Sequence, residues 1–228
     1  MAPHLPHRPG LPHLPDLKPH LRGWLHLGMA PLVLAAGIVL IALAPSGGPR
    51  VASVIFTASA VLLFGTSALF HRGDWSPRVH TLLKRLDHAN IFLIIAGSYT
   101  PFAVCLLPAD QASTLLAVVW TGALLGVAFR VLWIHAPRWL YTPLYVALGW
   151  VAVFYFGPLL RYGGWPLMIL LVTGGLLYTA GAVVYGIRRP NPSPRYFGFH
   201  EVFHSLTVAA FVVHYIAASM AIYGPHPA

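Results

Sequence analysis

Two histidines stand four residues apart in the stretch FHEVFH, where His200 and His204 flank Glu201. On an α-helix, residues four apart lie about 40° apart around the axis and about 6 Å apart along it, so both imidazoles can reach one ion. The letters match the His-Glu-x-x-His pattern of zinc peptidases, in which the glutamate is the general base. The same stretch opens the apolar run LTVAAFVVHYIAASMAIYG, which predicts that the pair lies at the end of a membrane helix.

Further polar side chains interrupt apolar sequence elsewhere in the chain. Ser67 and His71 close one apolar segment in the letters TSALFH, and Asp87 begins another in LDHAN. An ionisable side chain at the centre of a membrane helix costs about 3 kcal/mol on insertion scales, so such residues are rare and mark sites or partners. These residues are therefore candidates for a site shared with the histidine pair.

The composition indicates an integral membrane protein. Of the 228 residues, 57% are hydrophobic and 8% are charged, whereas soluble domains have roughly 25% charged residues. The single cysteine, Cys105, excludes an intrachain disulfide.

Seven apolar segments each approach the ~20 residues that a bilayer requires, and they are predicted at 27–45, 51–71, 86–107, 112–134, 139–157, 164–187 and 199–223.

The basic residues orient these segments. With the N-terminus in the cytoplasm, the cytoplasmic connectors hold eleven lysines and arginines, and the outer connectors hold two, Arg50 and Arg161. Such a bias is typical of the positive-inside rule. The sequence therefore predicts an all-α fold, an integral membrane bundle of seven transmembrane helices with its N-terminus cytoplasmic and its C-terminus outside, in the cell (plasma) membrane. Because these connectors and anionic headgroups account for the net charge of +9, we expect no nucleic-acid partner.

Three regions follow from this organisation. Residues 1–26 are rich in proline and contain five histidines. We expect a disordered cytoplasmic tail there rather than a metal-collecting tract, because the spacing of the prolines prevents a regular face of ligands. Residues 27–223 are predicted to form the seven-transmembrane domain, and residues 224–228 a short C-terminal tail.

The predicted topology brings the polar residues of three segments to one depth. His71 ends the second segment on the cytoplasmic side, where Asp87 and His200 begin the third and seventh. A catalytic zinc site has about three protein ligands and an open position. We therefore predict Zn²⁺ bound by His71, His200 and His204 near the cytoplasmic leaflet. Asp87 is the expected general base. Ser67, one turn before His71, is expected to orient His71, to bond the metal-bound water or to stabilise an oxyanion.

The remaining polar residues of these helices have other expected roles. Glu201 projects about 100° away from His200 around its helix, so Asp87, on another helix at the same depth, is the better candidate for the base. His88 is expected to form a structural hydrogen bond or to lie at the headgroup interface. His214 lies about 15 Å deeper than His204 and cannot share its metal, which predicts a buried or cavity-lining side chain.

Three stretches resemble the hemolysin III family, within the progestin and adipoQ receptor superfamily that includes the adiponectin receptors. They are SALFHR (67–72), RLDHANIFLIIAGSYTPF (85–102) and RRPNPSPRYFGFHEVFH (188–204). The resemblance covers the seven-helix body and not the tail rich in histidine and proline. It implies a seven-helix membrane protein with its N-terminus inside and a zinc ion near the inner leaflet.

The resemblance also assigns the site residues. The family's zinc histidines fall on His71, His200 and His204, and its serine and aspartate fall on Ser67 and Asp87. Related members look like ceramide amide hydrolases, whereas bacterial members carry the hemolysin name.

Two functions are open at this point. The first is a zinc-dependent hydrolase of membrane lipid amides, similar to a ceramidase, with a membrane lipid as its partner and substrate. The second is a non-enzymatic membrane sensor, or a hemolysin-like pore or effector, in which the zinc is structural. The two interpretations differ in whether any lipid is cleaved. Neither one predicts an oligomeric state.

Overall fold

Seven α-helices make up most of residues 19–224, the part of the chain that this computed structural model describes. Within that range the chain contains helices and connecting loops and no β-strand, which confirms the predicted all-α class. The helices are α1 (Trp24–Leu43), α2 (Gly48–Arg72), α3 (Pro77–Leu106), α4 (Ala109–Leu132), α5 (Arg138–Gly149), α6 (Phe156–Ile187) and α7 (Phe199–Tyr223), with a 3₁₀ helix (Trp150–Tyr155) between α5 and α6.

Between residues 19 and 224, six helical runs are long and apolar enough to cross a membrane. Five are single helices, and the sixth is the 50-residue run Arg138–Ile187, which comprises α5, the 3₁₀ helix and α6. A straight helix of that length would extend about 75 Å, more than twice the ~30 Å hydrocarbon core. Inside α6, Gly164 has a φ of 72° and a ψ of 173°, which only glycine adopts readily. This interruption lies at the residue where the sixth predicted segment begins, and the count of seven crossings stays a prediction.

The helix ends differ from the predicted segments by up to nine residues. α7 coincides with the predicted segment 199–223, whereas α3 begins at Pro77 rather than at residue 86. Pro77 follows Ser76, and proline suits the first turn of a helix because its missing N–H has no helical partner there. The polar residues that follow continue the helix beyond its apolar part, so a segment predicted from hydropathy begins too late.

α3 is the central helix, and it contacts α2, α4, α5, α6 and α7. Glycines allow the helices to approach closely, as is common in membrane bundles. A Cβ at Gly97 of α3 would collide with Ser59 of α2, and one at Gly174 of α6 would collide with His214 of α7. Gly174 therefore allows α6 and α7 to pack closely.

The region before α1 packs on the bundle rather than away from it. His26 lies inside α1 and is buried. The backbone N–H of His20 donates to the carbonyl of Arg195 at 3.0 Å, and the N–H of Leu21 donates to the carbonyl of Tyr196 at 3.2 Å. Residues 19–26 therefore differ from the disordered tail predicted at 1–26. The rest of that tail, with its possible metal ligands, and residues 225–228 lie outside the described part of the chain.

Candidate metal centre

Three histidines from two helices converge at one point. His71 lies in the last turn of α2, and His200 and His204 lie in the first two turns of α7. One nitrogen atom of each ring lies within 4.8 Å of the others. The Nε2 atoms of His71 and His200 are 3.2 Å apart, close to the ~3.3 Å that separates two nitrogens bound to one tetrahedral zinc. The donor set fits zinc, since imidazole nitrogen is one of its preferred ligands.

Glu201 fixes the start of α7 and hence the direction in which its two histidines project. Its Oε2 accepts a hydrogen bond of 2.9 Å from the backbone N–H of Gly198, so the side chain satisfies a free N–H at the end of the helix. Its Oε1 accepts a hydrogen bond from Nε of Arg22 in an ion pair. The carboxylate is 1% exposed, and these two partners engage both of its oxygens.

Asp87 of α3 brings a carboxylate to the same point. Its Oδ2 lies 4.0 Å from Nε2 of His71, too far for a direct hydrogen bond but suited to an oxygen atom bound between them. Ser67, one turn before His71 on α2, is buried and lines the same cavity as Asp87. The structure thus brings together the five residues that the sequence predicts for the site.

His88 is not one of the three clustered histidines, although its Nδ1 lies 3.6 Å from Oδ2 of Asp87, and it forms the predicted structural hydrogen bonds. Its Nδ1 is 2.9 Å from the carbonyl of Lys84, and its Nε2 is 3.2 Å from the hydroxyl of Tyr185. That hydroxyl is in turn 3.0 Å from the hydroxyl of Tyr141. The guanidinium of Arg130 packs over the Tyr141 ring at 4.3 Å. The sequence analysis missed the two tyrosines, because only the packing of α5 and α6 on α3 brings them to His88.

Residues just before α1 and in its first turn also lie beside the site, and the sequence did not predict them. Gly23 has a φ of 83°, and a Cβ there would lie 2.6 Å from Cβ of His71. His26 stacks on His204, with ring centroids 3.8 Å apart and planes 10° apart. The sequence GWLHLGM could have predicted the position of His26, because the apolar run begins at Trp24 and therefore includes His26 in the helix.

Two of the three histidines, His200 and His204, line a cavity of about 190 Å³. Asp87 and His204 line its metal end, and the cavity extends between the helices to Trp150, Tyr178 and His214. Most of its lining is apolar. His214 lies deeper in the bundle, where its Nε2 is 3.3 Å from the carbonyl of Leu171. His214 is partly buried and lines the cavity, as one of the two predicted alternatives states, and it is not one of the three clustered histidines.

Comparison with known proteins identifies the family. Residues 16–215 match the family model described as Haemolysin-III related. The chain belongs to the haemolysin-III related family. This membership confirms the resemblance seen in the sequence, and with six helices apolar enough to cross a bilayer it indicates a multi-pass membrane protein.

Individual relatives of this haemolysin-III related protein come from bacteria and from eukaryotes. It is 36% identical to Hemolysin-3 of Bacillus cereus over 157 residues, which cover 68% of this chain and 71% of that protein. It is 33% identical to the Hemolysin-3 homolog of Bacillus subtilis (strain 168) over 135 residues, which cover 59% and 63% of the two chains. It is 30% identical to the Adiponectin receptor protein of Drosophila melanogaster over 190 residues, which cover 74% of this chain and 42% of the fly protein. The last match supports the link to the progestin and adipoQ receptor superfamily.

Proposed function

We propose that this haemolysin-III related protein is a zinc-dependent hydrolase of membrane lipid amides, similar to a ceramidase. The observation that carries the proposal is the cluster of His71, His200 and His204 beside Asp87, at one end of a mostly apolar cavity. Three imidazoles and no thiolate favour zinc, and three protein ligands leave one coordination position open, as in catalytic zinc sites. An apolar cavity that leads to such a position suits an acyl chain with its amide at the metal.

The proposal includes the orientation of the protein. We place seven crossings in the plasma membrane, with the N-terminus in the cytoplasm, the C-terminus outside and the metal centre near the cytoplasmic leaflet. The support is the distribution of eleven basic residues on one side and two on the other. The interruption at Gly164 supports a division of the 50-residue run into two crossings.

Zinc supplies a Lewis acid that activates water and polarises a carbonyl oxygen. Asp87 accepts a proton from the attacking water, whose oxygen bonds to the amide carbon. The bond between that carbon and the amide nitrogen then breaks, and Asp87 returns the proton to the leaving nitrogen. The products are a fatty acid and an amine. Ser67, which lines the same cavity as Asp87, orients that carboxylate towards the metal centre, and the cavity excludes bulk water from the acyl chain.

The test compares two isosteric changes of an aspartate. Asp87→Asn removes the proton acceptor, whereas Asp110→Asn changes an exposed aspartate in the first turn of α4. Both variants are purified in detergent, zinc is measured by mass spectrometry, and fatty-acid release is measured from N-acyl sphingosine in mixed micelles. We expect wild type and both variants to bind about one zinc per chain. We expect turnover to fall at least about 100-fold in Asp87→Asn alone, in line with the contribution of general-base catalysis.

Two outcomes would contradict the proposal. Full turnover in Asp87→Asn would remove Asp87 from the proton-accepting role. A wild-type protein that binds zinc, loses thermal stability when the zinc is chelated and releases no fatty acid from N-acyl lipids would favour the structural-zinc alternative, a sensor or membrane effector.

A further inference from the structure

His26 is a buried histidine whose ring nitrogens have no hydrogen-bond partner within residues 19–224. The side chain is 2% exposed. Buried polar atoms in proteins nearly always have a partner, and an exception points to a bound water, ion or ligand. An unpartnered nitrogen in such a place costs about 1–3 kcal/mol. The position therefore calls for a hydrogen-bonding group from outside the protein.

The surroundings of His26 show where that group lies. One face of the ring stacks on His204 at a centroid distance of 3.8 Å, and the edge of Phe64 packs at 4.9 Å with the planes 78° apart. His26 also lines the cavity that contains the metal end of the site. The ligating cluster consists of His71, His200 and His204, so His26 stands beside the metal ligands and faces the same space.

We infer that His26 is a ligand-binding residue, whose imidazole forms a hydrogen bond with a hydroxyl or amide group of the lipid next to the metal centre. The identity of the ligand as a lipid rests on the proposed function. A neutral imidazole offers one donor and one acceptor, and hydroxyl and amide groups can use either one. A hydrocarbon chain can use neither. His26 thereby selects lipids that carry such a polar group close to the bond that is cleaved.

The test distinguishes the packing of the His26 ring from the hydrogen bonding of its nitrogen atoms. His26→Phe keeps an aromatic ring beside His204 and removes both nitrogens, and His26→Gln restores a donor and an acceptor. Both changes are made in the Asp87→Asn background, so that the probe is bound and not cleaved. The probes are N-acyl sphingosine with a fluorescent acyl chain and an alkane with the same fluorophore. Zinc content is measured for every variant.

We expect His26→Phe to bind one zinc per chain and to bind the alkane with an unchanged Kd. Its Kd for the N-acyl sphingosine should rise about fivefold to tenfold, as expected for the loss of one hydrogen bond. His26→Gln should bind this lipid to within about threefold of the protein that retains His26. If His26→Phe does not fold, His26→Leu beside His26→Gln makes the same comparison.

Other results would overturn the inference. An unchanged Kd for N-acyl sphingosine in His26→Phe would mean that water alone occupies the position. Loss of zinc in His26→Phe would mean that the ring acts through His204 and not on the ligand. Failure of the proposed function would give a different result. If the protein cleaves no lipid but His26→Phe still shows the shift in Kd, the protein is a lipid sensor and His26 is one of its binding residues.

Discussion

Arg22 and the buried Glu201 form a partly buried ion pair that joins the segment before α1 to the first turn of α7. The two residues are 179 positions apart in the chain. Glu201 is the glutamate of the His-Glu-x-x-His match, and in a zinc peptidase that glutamate faces the metal and acts as the base. Here its carboxylate is bound by Arg22 and by the backbone of Gly198. The match to the peptidase pattern therefore reflects helix geometry and packing, and the carboxylate beside the histidines comes from Asp87.

Glu201→Gln should leave the metal centre working and weaken the fold. The amide still accepts a hydrogen bond from Gly198, whereas its bond to Arg22 loses the negative charge, and charge-assisted bonds are roughly twice as strong as neutral ones. We expect one zinc per chain, turnover within about threefold of wild type, and a loss of about 1–3 kcal/mol in stability. Zinc analysis, fatty-acid release and thermal unfolding in detergent measure the three quantities.

Asp87→Asn provides the comparison for Glu201→Gln, since each change replaces a carboxylate with the matching amide. If Glu201→Gln lost turnover as severely as Asp87→Asn while retaining zinc and a folded bundle, Glu201 would be the base after all.

The clustering of His71, His200 and His204 was predictable from the sequence for a physical reason. The spacing of His200 and His204 fixes their relative positions on one helix, and the positive-inside rule places His71 at the same depth. Arg22 and His26 were not predictable in the same way. The segment predicted from hydropathy begins at residue 27, after both residues. No local sequence pattern predicts a partner that lies almost 180 positions away. Such pairings appear only when the helices are packed.

The same reasoning explains the helix boundaries. α7 was predicted to the residue because the glycine at 198 and the long apolar run mark both of its ends. The first turns of α3 were missed, because polar sequence that follows a proline can still be helical. The run from α5 to α6 was predicted as two segments, and the non-helical Gly164 lies at the start of the second one.

Removal of a metal ligand should abolish zinc binding, and removal of the deeper histidine of α7 should not. His71→Ala and His204→Ala each leave two imidazoles of the cluster, fewer than the three protein ligands of a catalytic zinc site. His214→Ala is the matched control, since it is the same change on the same helix, ten residues on. We expect about one zinc per chain in wild type and in His214→Ala, and less than about one-tenth of that in the two ligand variants.

Mass spectrometry of protein purified without chelators measures these zinc contents. Loss of zinc in only one of the two ligand variants would contradict a site shared between α2 and α7. A wild-type protein without any bound metal would remove the proposed hydrolytic mechanism.

Gly23→Ala should disturb the metal centre from outside it. At a φ of 83° an alanine is strained by about 1–2 kcal/mol, and its Cβ would lie 2.6 Å from Cβ of His71. Alanine substitutions at two other glycines distinguish the backbone strain from the close contact with His71. Gly47 has a φ of 86° with open space around it, and Gly28 is helical with open space around it. We expect Gly47→Ala to lower the Tm without loss of zinc affinity. Gly28→Ala should lower neither the Tm nor the zinc affinity, whereas Gly23→Ala should lower both. Zinc affinity equal to wild type in Gly23→Ala would show that the segment before α1 does not hold His71 in place.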